Sequence, residues 1–381
     1  MLIALVYITI SCLIIWRSSH GFEIASDFLG RKLPPGIKGA TLNAVASSMP
    51  EFLTTIFFLF YLRDAEGFSG GLGVTSGSAL FNLLLIPAFV VLVLFSIGKG
   101  KHIILNKKVL LREGVVLLIS QIVFVNFLFR GELNASHGLV LVLIYMAYLG
   151  LLYFIAHRKQ IADPGFTTPV VNNQHSIAIR ILTLDITPLV LNGKQISPGR
   201  AWILLGISTL VMTFGTWLLV FATDHFGYKT GIPLIFVAVV LSAVATSVPD
   251  TIISIKDARK GNYDDAVSNA LGSNIFDIAF ALGLPVLLYD LFFDEPMVLN
   301  PQVLAFTKEV WVFLLLATFL ALAIMLIGKK FNRRKAFLLL GIYVLFLVFV
   351  GTQIDPDLKG IGQPIGDFLK NVANAIGEWL P

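Results

Sequence analysis

Two carboxylates stand inside long apolar stretches of the chain, each close to small hydroxyl residues. Asp250 lies in AVATSVPDTIISI at 243–255, and Asp277 closes GSNIFD at 272–277. A charged side chain within a membrane span costs about 2.5–3.5 kcal/mol on insertion scales, so an acid placed there indicates a functional site. Carboxylate and hydroxyl oxygens are the ligands that hard cations such as calcium prefer. The other acids between them are expected at helix ends near water: Asp257, Asp264 and Asp265.

The composition supports a membrane setting for these acids. Of the 381 residues, 56% are hydrophobic and only 13% are charged, and the mean hydropathy is +0.85. Soluble domains carry about 25% charged residues, so we expect an all-α polytopic protein in contact with lipid. The net charge of +5 falls at the ends of apolar runs, which argues against nucleic-acid binding. Cys12 is the single cysteine, so neither an intrachain disulfide nor a cysteine-based metal site is expected.

Ten stretches are apolar and long enough to cross a bilayer, which takes about 20 residues. They are 1–16, 37–62, 70–97, 109–129, 136–156, 200–222, 230–255, 264–289, 309–328 and 336–353. The first is short and is expected to continue toward His20. Because no basic segment precedes it, we interpret it as a spanning helix rather than a cleaved signal peptide. The second, third, seventh and eighth stretches carry polar residues at mid-span.

The polar motifs occur twice. AVASSMPEFLTTI at 44–56 matches AVATSVPDTIISI at 243–255, and GSALFN at 77–82 matches GSNIFD at 272–277. Each half holds five spans, an odd number, so the two halves have opposite orientations. Such an inverted-topology repeat is the architecture of many secondary transporters. The fold predicted is therefore ten transmembrane helices arranged as two inverted five-helix repeats.

The repeat divides the chain into four regions. Residues 1–156 are predicted to form the first five-helix repeat and residues 200–353 the second, each with ion-binding helices. Residues 157–199 are a cytoplasmic loop, in which 176–191 alternates in hydrophobicity and is predicted to form a small hairpin or to lie on the membrane. Residues 354–381 are an extracytoplasmic amphipathic tail.

The distribution of basic residues predicts the orientation. The odd-numbered loops hold 19 lysines and arginines and the even-numbered loops hold 4, and the excess marks the cytoplasmic side. Both termini are then outside, in a plasma membrane or cell inner membrane. In the tail, Phe368, Val372, Ile376 and Trp379 share one helical face. They predict an amphipathic end packed on the bundle, with an interfacial or lid-like helix as the alternative.

The spacing of the polar residues places them on shared helix faces, because residues three and four apart face the same way. Pro50 and Pro249 lack an N–H and free the carbonyls of Ala46 and Ala245. A pseudo-twofold axis would bring the four polar helices together near the bilayer midplane. All the converging ligands are oxygens, with neither histidine nor cysteine among them. Taken singly, each hydroxyl could equally bond to a carbonyl of its own helix.

The motifs SSMPE, TSVPD, GSALFN and GSNIFD resemble the two alpha-repeats of the cation/calcium exchanger superfamily. The second repeat is most similar to that of the potassium-dependent sodium/calcium exchangers, and the close match covers 36–90 and 230–290. The resemblance implies that Glu51 and Asp250 are the central calcium and sodium ligands and that alanine carbonyls contact sodium. The full implied ligand set is Ala44, Ser47, Ser48, Glu51, Ser78, Asn82, Ala243, Thr246, Ser247, Asp250, Ser273 and Asp277.

Two features depart from the family pattern. The first repeat has Val45-Ala46-Ser47 where the family often has glycines with threonine or serine. The large cytoplasmic regulatory domains of animal members are absent, so regulation by calcium in that loop is not supported.

The function expected is a secondary active antiporter that exchanges calcium for sodium by alternating access, with potassium co-transport left open. A proton-coupled calcium antiporter is the alternative, because the same carboxylates can carry protons. The nonidentical inverted halves and the buried paired acids argue against a channel with an acidic ring. An intramembrane hydrolase using Asp250 and Asp277 is disfavoured, because all six histidines lie at span ends or in loops. No covalent cofactor is expected, the ions being cargo, and the oligomeric state is left open.

Overall fold

The computed structural model describes residues 2–33, 37–98, 102–158, 180, 183–328, 330–354 and 359–379. Within these ranges, ten helices are long and apolar enough to cross a membrane. In chain order the helices are α1 (Leu2–Leu29), α2 (Gly39–Leu62), α3 (Ala65–Ser96), α4 (Lys107–Phe129), α5 (Ala135–Arg158), α6 (Ile186–Leu191), α7 (Pro198–Thr230), α8 (Leu234–Arg259), α9 (Tyr263–Phe293), α10 (Pro301–Leu326), α11 (Arg333–Ile354) and α12 (Lys359–Trp379). The predicted all-α fold is confirmed, with α1–α5 and α7–α11 as the two inverted five-helix repeats.

Three spanning helices begin or end well away from their predicted bounds, among them α7, which ends at Thr230 rather than at residue 222. α1 runs to Leu29 rather than stopping near His20. It continues through a polar run because the Ser18 and Ser19 hydroxyls donate to carbonyls of their own helix at 2.8 Å, and because Glu23 pairs with Lys256 of α8. α10 begins at Pro301, behind an Asn300 cap, eight residues before the predicted start.

Two pairs of very short strands join loops at the ends of the bundle. β1 (His102–Ile103) pairs antiparallel with β4 (Phe331–Asn332), and β2 (Glu132–Leu133) pairs antiparallel with β3 (Met297–Val298). The first pair joins two odd-numbered loops and the second pair joins two even-numbered loops. Each pair therefore links one repeat to the other at a single end of the bundle.

π-helical turns occur at matching places in the two halves. In α2 and α8 they cover Gly39–Asn43 and Ala238–Ser242, directly before the first predicted ligands. In α3 and α9 they cover Phe81–Leu85 and Asp277–Leu282. π turns are rare and often occur at functional sites, because the extra residue rotates the side chains that follow.

α1 and α7 lie beside the main core. One large apolar cluster draws mainly on α2–α5 and α8–α11, whereas α1 and α7 share small clusters, among them Ile15 with Leu219. Two ion pairs join α1 to the neighbouring helices: Glu23 with Lys256 at 2.7 Å and Asp27 with Lys38 at 2.5 Å. The contact between α1 and the ion-binding helices is thus partly ionic.

The C-terminal helix α12 packs on the bundle, and its buried face differs from the predicted one. Leu369 and Ala373 are buried, whereas Phe368 is 56% exposed. The predicted stripe is therefore wrong at Phe368, whereas Val372 and Ile376 do pack against the main core, beside Leu369 and Ala373. The side chain of Trp379 lies outside the described residues, as do residues 176–179 and 181–182 of the predicted hairpin segment. The rest of that segment is described and ends in the short helix α6, so the hairpin prediction is wrong there.

Candidate metal-ion site

The two acid-bearing helices differ in how they pass their proline. α2 remains helical through Pro50, so Glu51 projects from an unbroken helix. α8 is interrupted at Ser247, whose backbone (φ −82°, ψ 0°) caps a new helical segment that begins at Val248 with Pro249 in its first turn. Proline is tolerated in a first turn because its missing N–H would be unsatisfied there anyway. Asp250 thus lies in the first turn of a helical segment, where the backbone N–H groups favour negative charge.

All twelve predicted ligands are buried, none of them more than 1% exposed. They lie on α2, α3, α8 and α9, the four helices whose mid-span polar residues the sequence singled out. Their role as ion ligands remains a prediction, and the geometry shows how the four helices bring them together.

Ser78 of α3 lies between two carboxylates. Its Oγ is 3.1 Å from Glu51 Oε1 and 3.2 Å from Asp277 Oδ2. The Ser247 hydroxyl donates to Ser78 Oγ at 3.0 Å and is also 3.3 Å from Glu51 Oε1. The hydroxyls of Ser78 and Ser247 therefore lie between Glu51 of the first repeat and Asp277 of the second.

The Asp250 carboxylate accepts hydrogen bonds from both repeats. Ser273 donates to its Oδ1 at 2.6 Å, and Asn82 donates to its Oδ2 at 3.1 Å. Ser273 lies 3.4 Å from Ser47 of the first repeat, while Ser48 lies beside Asp277. The two repeats interdigitate here, so neither builds the site alone.

Several acceptor oxygens in this cluster have no hydrogen-bond partner. They include Glu51 Oε2, Asp277 Oδ1 and Asn82 Oδ1. Buried polar atoms in folded proteins are nearly always paired, so unpaired acceptors beside carboxylates suit a cation. Within the described ranges, no three acidic, histidine or cysteine side chains form a ready-made metal cluster. The carboxylates are bridged by hydroxyl and amide groups instead.

The alanine carbonyls and Thr246 are engaged within their own helices. The Ser47 hydroxyl is 3.3 Å from the Ala44 carbonyl, and the Thr246 hydroxyl donates to the Ala243 carbonyl at 3.1 Å. Thr246 also lies beside Glu51, whereas the carbonyls of Ala44 and Ala243 lie in the same buried layer and meet hydroxyls of their own helices.

Asn269 of α9 also contacts the site, although it is not among the residues predicted from the sequence. Its Nδ2 is 3.0 Å from Ser254 Oγ and 3.3 Å from the Asp250 carbonyl, and its Oδ1 accepts from Ser47 at 3.3 Å. Asn269 lies four residues before Ser273, one helical turn away on the same face, and this spacing could have identified it. Thr54 and Thr55 of α2 were also outside the predicted ligand set, and both have buried hydroxyls without a partner.

The expectation that Asp257 and Asp265 lie in water was wrong. They are at helix ends, but they are only 8% and 5% exposed. Asn43 donates to Asp257 Oδ2 at 3.2 Å. The ends of α8 and α9 are covered by α2, which the local sequence alone could not reveal.

Two glycines allow the helices of opposite repeats to approach closely. A Cβ on Gly77 of α3 would overlap the Val239 carbonyl oxygen and lie 2.7 Å from Ala243 Cβ of α8. A Cβ on Gly272 of α9 would lie 2.9 Å from Ala40 Cα of α2. Small residues at such crossings let helix backbones meet within a membrane, and here they bring the adjacent serines, Ser78 and Ser273, to the acids.

A family model described as sodium/calcium exchanger protein matches residues 3–154 and 200–352. The chain is 27% identical over 353 residues to inner membrane protein YrbG of Escherichia coli (strain K12), which covers 92% of this chain and 97% of that protein. It is 37% identical over 144 residues to sodium/potassium/calcium exchanger 2 of Homo sapiens, covering 38% of this chain but only 21% of that protein.

Two solved structures share the fold. The crystal structure of the H⁺/Ca²⁺ exchanger CAX aligns over 99% of this chain and 91% of that chain, with a TM-score of 0.69 and 15% identity. The sodium-calcium exchanger NCX_Mj aligns over 90% of this chain and 97% of that chain, with a TM-score of 0.56 and 20% identity. The resemblance seen in the four motifs is confirmed. This chain belongs to the sodium/calcium exchanger protein family of the cation/calcium exchanger superfamily, and it is an integral membrane antiporter of the exchanger type.

Proposed function

We propose that this protein is a secondary active antiporter that exchanges calcium for sodium across the membrane by alternating access, with the twelve buried residues as ion ligands. The observation that carries the proposal is the meeting of Glu51, Asp250 and Asp277 in one buried cluster, where carboxylate oxygens of Glu51 and Asp277 have no protein partner. Crowded carboxylates in a low-dielectric interior repel one another unless cations or protons accompany them. The donor set is entirely oxygen, which suits calcium and sodium.

The negative charge of the three carboxylates can be balanced in two ways, and these correspond to different coupling ions. Calcium offsets two of the three negative charges. The third is offset by a second monovalent cation, potassium in our preferred version, or by a proton. A proton-coupled calcium antiporter is therefore the alternative, and the same three carboxylates support it.

The experiment is calcium uptake into liposomes that contain the purified protein. A sodium gradient directed outward should drive uptake, and uptake should be faster with potassium than with choline on the calcium side. Uptake that follows an imposed pH gradient and ignores sodium would favour the proton-coupled alternative. Absence of uptake under either gradient, from protein that is monodisperse before reconstitution, would contradict antiport of calcium altogether.

We also propose that both termini are outside, that 1–156 and 200–353 are the two functional repeats, and that 157–199 is cytoplasmic with 354–381 outside. The support is the basic excess of the odd-numbered loops. In a Cys12→Ser background, an impermeant thiol reagent added to intact cells should label Glu132→Cys and leave Lys194→Cys unlabelled. Both of these side chains are exposed, at opposite ends of the bundle. The reverse labelling pattern would show that the protein has the opposite orientation in the membrane.

A further inference from the structure

A buried tyrosine with no hydrogen-bond partner lies next to the ion site on a helix that contributes none of the predicted ligands. Tyr145 of α5 is 3% exposed, and its hydroxyl is unpaired. Its ring packs against Phe276 (centroids 5.5 Å apart, interplanar angle 75°) and against Phe280 at 5.4 Å. Phe276 immediately precedes Asp277, so the tyrosine ring sits on the turn that carries the third acid.

The unpaired atoms on the two sides are complementary. Tyr145 presents an unused O–H donor, while Asp277 has an unused acceptor, Oδ1, because its Oδ2 already accepts from Ser78. A buried donor and a buried acceptor that both lack partners are each costly, and a bond between them, or a water shared by them, removes both costs.

A second tyrosine fixes the rotation of α5. Tyr148 lies one turn further along on the same face, is 2% exposed, and donates its hydroxyl to the fully buried Glu113 of α4. Glu113 is also ion-paired with Arg112. This charged group anchors α5 to α4, and because residues three apart share a face, it also holds Tyr145 toward the site.

The internal repeat supplies a natural comparison. IYMAYL at 144–149 matches IYVLFL at 342–347, and Arg112-Glu113 matches Lys308-Glu309. Tyr343 packs on Phe81, which precedes Asn82, just as Tyr145 packs on the residue before Asp277.

The anchor is absent from the second half. Phe346 replaces Tyr148 and has no hydroxyl to offer. Glu309 is only half-buried and lines a cavity with Asp367 and Lys370 of α12. The complete arrangement of acid, anchoring tyrosine and facing tyrosine thus occurs only opposite the half-site that carries the carboxylate.

We propose that Tyr145 is a positioning residue of the ion site, whose hydroxyl donates to Asp277 Oδ1 directly or through one water, with Tyr148 and Glu113 holding it in place. This inference rests on the proposed function, because it concerns the same site. The donor takes one lone pair of Oδ1 and fixes the rotation of the carboxylate, while the remaining lone pairs of its oxygens stay available to the ion. Outer hydrogen-bond partners of ligands typically change metal affinity by about 10–100-fold when removed.

The test is calcium binding measured by calorimetry on detergent-purified protein at fixed pH. Tyr145→Phe should weaken calcium binding by about tenfold, at the lower end of that range, and Tyr148→Phe should weaken it less. Tyr343→Phe is the matched control and should stay within about twofold of wild type, since Asn82 is neutral. Thermal unfolding midpoints compare the folding of the variants, and Tyr148→Phe carries the test if Tyr145→Phe does not fold.

A double substitution separates positioning from packing. In an Asp277→Asn background, Tyr145→Phe should have no further effect on calcium affinity, because the charge through which it acts is gone. An equal loss in both backgrounds, or unchanged affinity of Tyr145→Phe in the wild-type background, overturns the inference alone. Wild-type protein that binds no calcium would overturn the proposed function and with it this inference.

Discussion

The two halves of the site are built on one plan and differ at three places. The first repeat has an unbroken helix through Pro50, the longer acid Glu51, and the neutral Asn82. The second has a helix broken at Ser247, the shorter acid Asp250, and the charged Asp277. The longer side chain extends from the continuous helix, while the shorter one lies at the start of a helical segment.

This difference shows how an inverted repeat becomes asymmetric without losing its symmetry of fold. The Ala245 carbonyl, which Pro249 leaves without a helical N–H donor, faces the thiol of Cys12 on α1 at 3.9 Å. Asn269 fills a place on α9 that corresponds to Val74 on α3, and it bonds to the backbone of Asp250. The second half therefore adds a hydrogen bond to the backbone of its acid and carries the additional charge.

The largest effect is expected from removing the charge that the halves share. Glu51→Gln and Asp250→Asn should each abolish calcium transport, because these acids supply most of the charge that faces a divalent ion. Folding should persist, since removing a buried like charge relieves repulsion in metal-free detergent. Calcium uptake into liposomes at matched protein density measures this, with the exposed Glu66→Gln at the start of α3 as the control that should transport normally. If either variant takes up calcium at the wild-type rate, the two acids do not both bind the transported ion.

A smaller effect is expected when the two repeats are made alike at the Asn82 and Asp277 positions. Asp277→Asn gives both α3 and α9 an amide, and it should leave part of the sodium/calcium exchange while removing its stimulation by potassium. The reason is that only the third carboxylate requires a monovalent partner beside calcium. Calcium flux with potassium or choline on the calcium side measures it. Equal wild-type rates in the two salts would rule out potassium and leave a proton as the partner of Asp277.

The smallest effect concerns packing between the halves. Gly77→Ala should lower the free energy of unfolding by about 1–3 kcal/mol, the usual cost of overpacking, because its Cβ would overlap backbone of α8. Gly272→Ala should cost less, since its nearest contact, Ala40 Cα at 2.9 Å, is looser. Gly206→Ala has nothing within 4 Å of its Cβ and should be neutral or slightly stabilising. Denaturant titration in micelles ranks the variants by their free energy of unfolding. Equal losses of that free energy for Gly77→Ala and Gly206→Ala would show that the close approach of α3 to α8 does not stabilise the protein.

Much of this arrangement could be predicted from the sequence, for a physical reason. Acids within apolar runs are too costly to be accidental, and their recurrence with serine and proline at fixed spacing revealed both the repeat and the helices that meet. Ser78 and Ser273 do lie against the acids as the shared faces implied.

Features that depend on contacts distant in sequence could not be predicted. α1 continues past His20 because Glu23 finds Lys256 on α8, more than two hundred residues later. Asp257 and Asp265 are buried because α2 covers them. The helix is broken at Ser247 but continuous at Pro50, although the two motifs are nearly the same. The difference comes from the surrounding helices, so local sequence predicts the same structure at both sites.

The interdigitation of the repeats has a consequence for the order in which the chain is made. Ser47 and Ser273 meet across 226 residues of sequence, and Asn82 and Asp250 across 168. At a synthesis rate of about 5–20 residues per second, Ser47 is made roughly 11–45 seconds before Ser273, and Asn82 roughly 8–34 seconds before Asp250. During that time α2 resides in the bilayer with Glu51 supported by its own half alone, through Ser78. Until α8 is made, the Glu51 carboxylate therefore lacks the second hydroxyl, Ser247, that contacts it in the finished protein.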